Sequence, residues 1–116
     1  MQLEAKIQHD VRLALGVTIP LWRNEVGVVR FEDKKGIPRT VSFGLCKGSS
    51  DLIGIRPLLI MPEHVGRTIG QFVAFELKTV KGRATKEQKM FLELIERNGG
   101  IAAIVRSVDD AREALA

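Results

Sequence analysis

The chain has 116 residues, enough for one domain with a single core spanning residues 1–116, and its 45% apolar and 28% charged composition is that of an ordinary globular protein. A formal charge of +4 fits a polyanionic partner, and there is no low-complexity tract, internal repeat or long block of like charge. No stretch reaches the roughly 18 uncharged apolar residues of a membrane span, and the first residues lack a signal-peptide pattern, so a cytoplasmic protein with no membrane partner is expected.

Leu3, Ile7, Val11, Ala14 and Leu15 recur at helical spacing and Gly16 closes the run, predicting an amphipathic helix near Gln2 to Leu15. Glu4 lies on or beside its apolar stripe, where it is either a candidate for chemistry or a first-turn acid favoured by the helix dipole. Val17 to Glu25 reads as a connector that carries the only tryptophan, Trp22, as core filler or an interface anchor. A strand over Val26 to Phe31, a turn at Asp33-Lys34-Lys35-Gly36 and a returning strand over Arg39 to Phe43 form a hairpin. Lys34, Lys35 and Arg39 gather at its tip, either as a solvated turn or within reach of a phosphate backbone.

Gly44 to Ser50 is rich in small residues and offers free backbone N–H groups, a candidate floor for a phosphate just before Asp51. Cys46 within it is the sole cysteine, so an internal disulfide is excluded, a cysteine zinc site is not expected, and the residue reads as small and half-buried. Leu52 to Ile60 is a third strand, with Pro57 marking a bend or an edge. The fourth, Phe72 to Lys78, is apolar on both faces until Glu76 and Lys78, two positions apart and therefore on one face. This makes it a central strand with its polar groups at the C-terminal end. Thr85-Lys86-Glu87-Gln88 is a capping box, with Gly99-Gly100 at the far end of its helix. Gln88 is either the reciprocal cap or, sharing a side with Phe91, Leu92 and Ile95, an amide aimed at the Glu76 strand. Ile101 to Val105 is a buried strand, parallel to the Glu76 strand by a crossover through this helix, and Val108 to Ala116 a last short helix begun by Ser107.

An antiparallel pairing of Ile55 with Phe72 would set Ile53 opposite Ala74 and Asp51 opposite Glu76, leaving Met61 to Gly66 as the loop. Two facing carboxylates repel, so such a pair calls for a cation between them. Mg²⁺ favours one or two carboxylates together with water and phosphate oxygens. A metal site is expected there on these grounds alone.

The order helix, antiparallel strands, helix, parallel strand, short helix resembles the α/β core of the PD-(D/E)xK nuclease superfamily, the restriction-endonuclease-like fold with a mixed central sheet. The chain is most similar to its VRR-NUC branch, the virus-type replication-repair nucleases. The match is carried by Arg23-Asn24, Phe43-Gly44-Leu45, Gly48-Ser49-Ser50-Asp51-Leu52-Ile53-Gly54, Phe75-Glu76-Leu77-Lys78 and Gln88, with Gly99-Gly100 closing the helix. The resemblance implies that Asp51, Glu76 and the Leu77 carbonyl hold Mg²⁺ or Mn²⁺, that Lys78 positions or activates the attacking water, that Glu4 assists and that Gln88 supports the site. Candidate nucleic-acid contacts are Lys47, Ser49 and Ser50 before Asp51, and Lys81, Arg83 and Lys86 after Lys78. Four residues beyond Gln88 stands Leu92 where RecB-like relatives carry tyrosine, so that motif is incomplete.

These readings lead to a metal-dependent deoxyribonuclease acting on branched DNA such as a Holliday junction, working as a homodimer in a bacterial or phage-infected cell. The alternatives are a nucleic-acid-binding module without catalysis, disfavoured by the presence of Asp51, Glu76 and Lys78, and a restriction-type endonuclease, for which no recognition insertion is visible.

Overall fold

A computed structural model describes residues 2–116 as a mixed α/β chain of three helices and three small two-stranded sheets, two antiparallel and one parallel. The chain divides into two compact units, Met1–Ile55 and Arg56–Ala116.

In the first unit α1 runs over Gln2–Leu15 and ends where Gly16 N–H donates back to the Arg12 carbonyl at 2.9 Å. Its stripe is unevenly covered: Val11 is half-buried, whereas Leu3 and Ile7 are exposed. The expected connector contains a strand, β1 (Leu21–Arg23), that the sequence pattern does not announce. β2 (Gly27–Glu32) and β3 (Pro38–Phe43) form the hairpin in the expected place, paired from Gly27–Phe43 to Glu32–Pro38. β4 is short, Leu52–Gly54, and pairs antiparallel with β1, setting Trp22 beside Ile53 and Arg23 beside Leu52.

β1 is the single ladder partner of β4 among the described residues, and the expected ladder with Phe72 to Glu76 is not formed there. The backbone of β4 is claimed on the β1 side, where the ladder continues at both ends through Asn24 N–H to the Asp51 carbonyl (2.8 Å) and Ile55 N–H to the Pro20 carbonyl (3.0 Å). Pro57 has no N–H to donate, and the strand predicted to reach Ile60 stops at Gly54. Pro57, which marked a bend or an edge in the sequence, lies three residues past the observed end.

In the second unit, a single 3-10 turn at Pro62–His64 precedes β5 (Val73–Leu77). The strand pairs in parallel with β6 (Ile101–Val105), from Val73–Ile101 to Leu77–Val105, as the intervening helix requires. The sequence predicts a central β5, but β6 is its single ladder partner among the described residues. α2 (Lys86–Arg97) packs on both strands and α3 (Val108–Leu115) on β6. Each helix has a defined start. Thr85 Oγ accepts from Gln88 N–H while Gln88 Oε1 accepts from Thr85 N–H, and Ser107 Oγ accepts from Asp110 N–H.

α2 ends in a Schellman turn: Gly99, at φ +88°, donates to the Glu96 carbonyl and Gly100 to the Ile95 carbonyl. The turn delivers the chain directly into β6, because Ile101 N–H donates to the Phe72 carbonyl at 2.8 Å. Ile95, with none of its surface exposed, and Val105 anchor the apolar contact between α2 and the strands.

Candidate functional site

The loop before β4 is built around one side chain. Asn24 is 8% exposed, the only buried polar residue among those described, and its amide hydrogen-bonds three separate partners. Its Nδ2 donates to Ser49 Oγ (2.7 Å) and to the Ser50 carbonyl (2.9 Å), and its Oδ1 accepts from Leu45 N–H (3.1 Å). Ser49 Oγ in turn donates to the Cys46 carbonyl at 2.7 Å. Gly44 makes the close approach possible: it has φ +86°, and a Cβ there would stand 2.5 Å from the Glu25 carbonyl oxygen. The segments around Asn24, Gly44 and Ser49 are thereby joined into one cradle that fixes the backbone of Asp51.

The Asp51 carboxylate itself is exposed and makes no hydrogen bond or ion pair among the described residues. Two clefts open on it. One, of about 440 Å³, is lined by Gln8, Asn24, Glu25, Val26, Phe43, Ser49 and Asp51. The other, of about 250 Å³, is lined by Glu4, Ile7, Gln8, Val11, Asp51 and Leu52. Glu4 and Asp51 therefore share a cleft with apolar residues of α1 and β4. Both carboxylates are hard oxygen donors open to solvent, the chemistry a Mg²⁺-type ion with several bound waters accepts. No group of three or more His, Cys, Asp or Glu side chains gathers among the described residues.

In the second unit, Glu76 on β5 and Lys78 just beyond it lie on one side of the strand, as their spacing predicts. Lys78 Nζ is 3.5 Å from Glu76 Oε2, with the two side chains 20% and 28% exposed. Lys78 N–H donates to the Val105 carbonyl at 3.1 Å, so β6 holds the backbone of this position. The Leu77 side chain is exposed. The following loop is tied down by Arg106, whose Nη2 donates to the Gly82 carbonyl at 2.7 Å between Lys81 and Arg83.

No protein-family model matches the chain, and no curated protein or solved structure is significantly similar to it.

The other candidates divide by what their polar atoms already do. Gln88 spends its side-chain oxygen on the helix cap, the plainer of its two readings. Ser49 and Ser50 act as partners of Asn24, Ser49 through its hydroxyl and Ser50 through its carbonyl. Lys47, Lys81, Arg83 and Lys86 are exposed cations. Cys46 is exposed rather than half-buried, because it stands in the tight turn closed by Ser49 N–H on its own carbonyl. Sequence reasoning assigned no role to Asn24, Gln8 or Arg106. For Asn24 the available signal was its place in the Arg23-Asn24 pair that carries the resemblance.

Proposed function

We propose that the chain is a divalent-metal-dependent nuclease hydrolysing DNA phosphodiester bonds, with the PD-(D/E)xK type of site and nearest in character to the VRR-NUC branch. The observation that supports this most is the Asn24 cradle. Three of the segments that carry the resemblance, at Asn24, Gly44-Leu45 and Ser49-Ser50-Asp51, meet in one hydrogen-bonded loop that holds an uncompensated carboxylate open beside Glu4.

In this reading the residues that would hold Mg²⁺ or Mn²⁺ are those the resemblance implies, Asp51 from the first unit and Glu76 with the Leu77 carbonyl from the second. The bound ion would polarise the phosphoryl oxygens and make water more acidic. Lys78 holds its ammonium group at the Glu76 carboxylate, where it orients the attacking water and offsets negative charge developing on the phosphate. Glu4, in the same cleft as Asp51, would add a further oxygen acceptor for the attacking water. Lys47, Lys81, Arg83 and Lys86 supply positive charge for the phosphate backbone, and a symmetric homodimer would make paired cuts in branched DNA.

The test is a panel of linear, nicked, flapped and four-way DNA incubated with Mg²⁺, Mn²⁺ or EDTA. Wild-type chain should cleave with metal and not with EDTA, and Asp51→Ala and Lys78→Ala should each lose at least about a hundredfold in rate. Equal behaviour of wild type and both variants, with binding retained, would leave a binding module in place of an enzyme.

A further inference from the structure

β2 and β3 pair with each other in a ladder of six rungs and with no other strand among the described residues, and β3 is exposed along its whole length. They form an arm whose tip is unusually well fixed. Asp33 Oδ1 accepts from the N–H groups of Lys35 (2.8 Å) and Ile37 (2.9 Å), and its Oδ2 accepts from Arg39 Nε (3.0 Å). Gly36 at φ +77° completes the turn by donating to the Asp33 carbonyl. The Asp33 charge is thus spent within the arm, on Arg39 and on the turn's own backbone.

Lys34 and Lys35 at the tip, and Arg30 on the strand, have no acidic partner among the described residues. Arg30, Lys34, Lys35 and Arg39 stand against Glu32 and Asp33, so the arm is net positive. The register sorts its two faces: Gly27 with Phe43, Val29 with Val41 and Phe31 with Arg39 on one, and Val28 with Ser42, Arg30 with Thr40 and Glu32 with Pro38 on the other, where Glu32 is the one acid beside Arg30. One face therefore carries hydrogen-bonding groups that lead to the two unpaired lysines. A two-stranded ribbon has the dimensions of the DNA major groove, and a turn held by its own hydrogen bonds presents its lysines to phosphates with little backbone ordering left to do on binding.

We propose that the β2–β3 arm grips duplex DNA, with Lys34 and Lys35 on the phosphate backbone and the Arg30 face turned to the groove. The choice of DNA as the polyanion rests on the nuclease reading, whereas the grip itself does not require cleavage.

The experiment is fluorescence anisotropy on a labelled DNA duplex in EDTA, where no hydrolysis can occur, over a salt series from about 50 to 200 mM. Lys34→Ala/Lys35→Ala should bind roughly tenfold or more weakly, and the slope of log affinity against log salt should shrink by about 1.8, the value for two lost phosphate contacts. Its circular dichroism and melting should match wild type, since both side chains are exposed. Wild-type affinity and slope in the double variant would overturn the proposal, as would lysine-dependent binding confined to duplex RNA. A chain that grips DNA through the lysines yet cleaves nothing with Mg²⁺ or Mn²⁺ removes the nuclease reading and keeps the arm. Cleavage by a chain whose double variant binds normally does the reverse.

Discussion

Truncating Asn24 to alanine tests the cradle directly. The change removes three hydrogen bonds from a side chain that is 8% exposed and strands the Leu45 N–H, the Ser50 carbonyl and an acceptor site on Ser49. At about 1 kcal/mol net for each bond, the loss is about 3 kcal/mol, and water entering the vacated space would lower it towards 2. A small unit is stable by only about 0.05–0.15 kcal/mol per residue, so this is a large part of what holds residues 1–55 folded. Trp22, half-buried on β1 two residues from Asn24, gives a fluorescence signal for the transition. With a urea m-value of roughly 1–1.5 kcal/mol/M, the midpoint should fall by about 2 M. Ser49→Ala alone should cost about 1–2 kcal/mol, and the double variant should show about 1 kcal/mol of coupling. A midpoint lowered by under about 0.3 M in Asn24→Ala, equivalent to less than half of one hydrogen bond, would refute the claim that this amide organises the loop.

Gly44→Ala should destabilise by about 2 kcal/mol or more in the same titration, since the residue stands at φ +86° with a carbonyl oxygen where its Cβ would go. Lys78→Met separates chemistry from folding: a partly exposed ion pair contributes no more than about 1 kcal/mol, so melting should barely move while cleavage falls at least a hundredfold. Thr85→Ala should lower stability by about 1 kcal/mol, and Gln88→Glu, which keeps a side-chain acceptor at the third helical position, should retain most of the cap that Gln88→Ala loses. Asp33 is held below the usual carboxylate range chiefly by the Ile37 N–H, with Arg39 and the Lys35 N–H adding to it against partial desolvation. A carboxyl whose folded pKa is lowered stabilises the fold above its unfolded value, near pH 4, and that contribution disappears as pH drops through the folded value. The stability gap between wild type and Asp33→Asn should accordingly narrow below about pH 4, and a gap that widens there would contradict the assignment.

What could be read from the sequence was mostly local. The three helices follow from apolar spacing and from capping residues at Thr85, Ser107 and Gly99, and the β2–β3 hairpin from a turn set by Asp33 and Gly36. The parallel β5–β6 pair follows from a helix lying between two apolar runs. Partner choice across longer separations was not legible. Leu21-Trp22-Arg23 is too short and too near Pro20 to signal a strand, yet it supplies the partner for β4. Asn24 was legible only as part of the Arg23-Asn24 pair in the resemblance, because its role comes from meeting Leu45, Ser49 and Ser50, each more than twenty residues away. For Glu76 and Lys78 the period of two was enough to place them on one side of β5, while the Gln88 amide was legible as a cap from Thr85 alone.

The first ladder has a consequence for how this chain can vary. β1 and β4 enclose the whole of β2 and β3, and the enclosed segment leaves and returns at one place, with Gly27 paired to Phe43. Removing or adding matched residue pairs beyond that point would preserve the register below it and leave the Asn24 amide with all its partners. The arm is thus a graft point, whose length and tip can be exchanged among sequences while the acid at position 51 stays where it is.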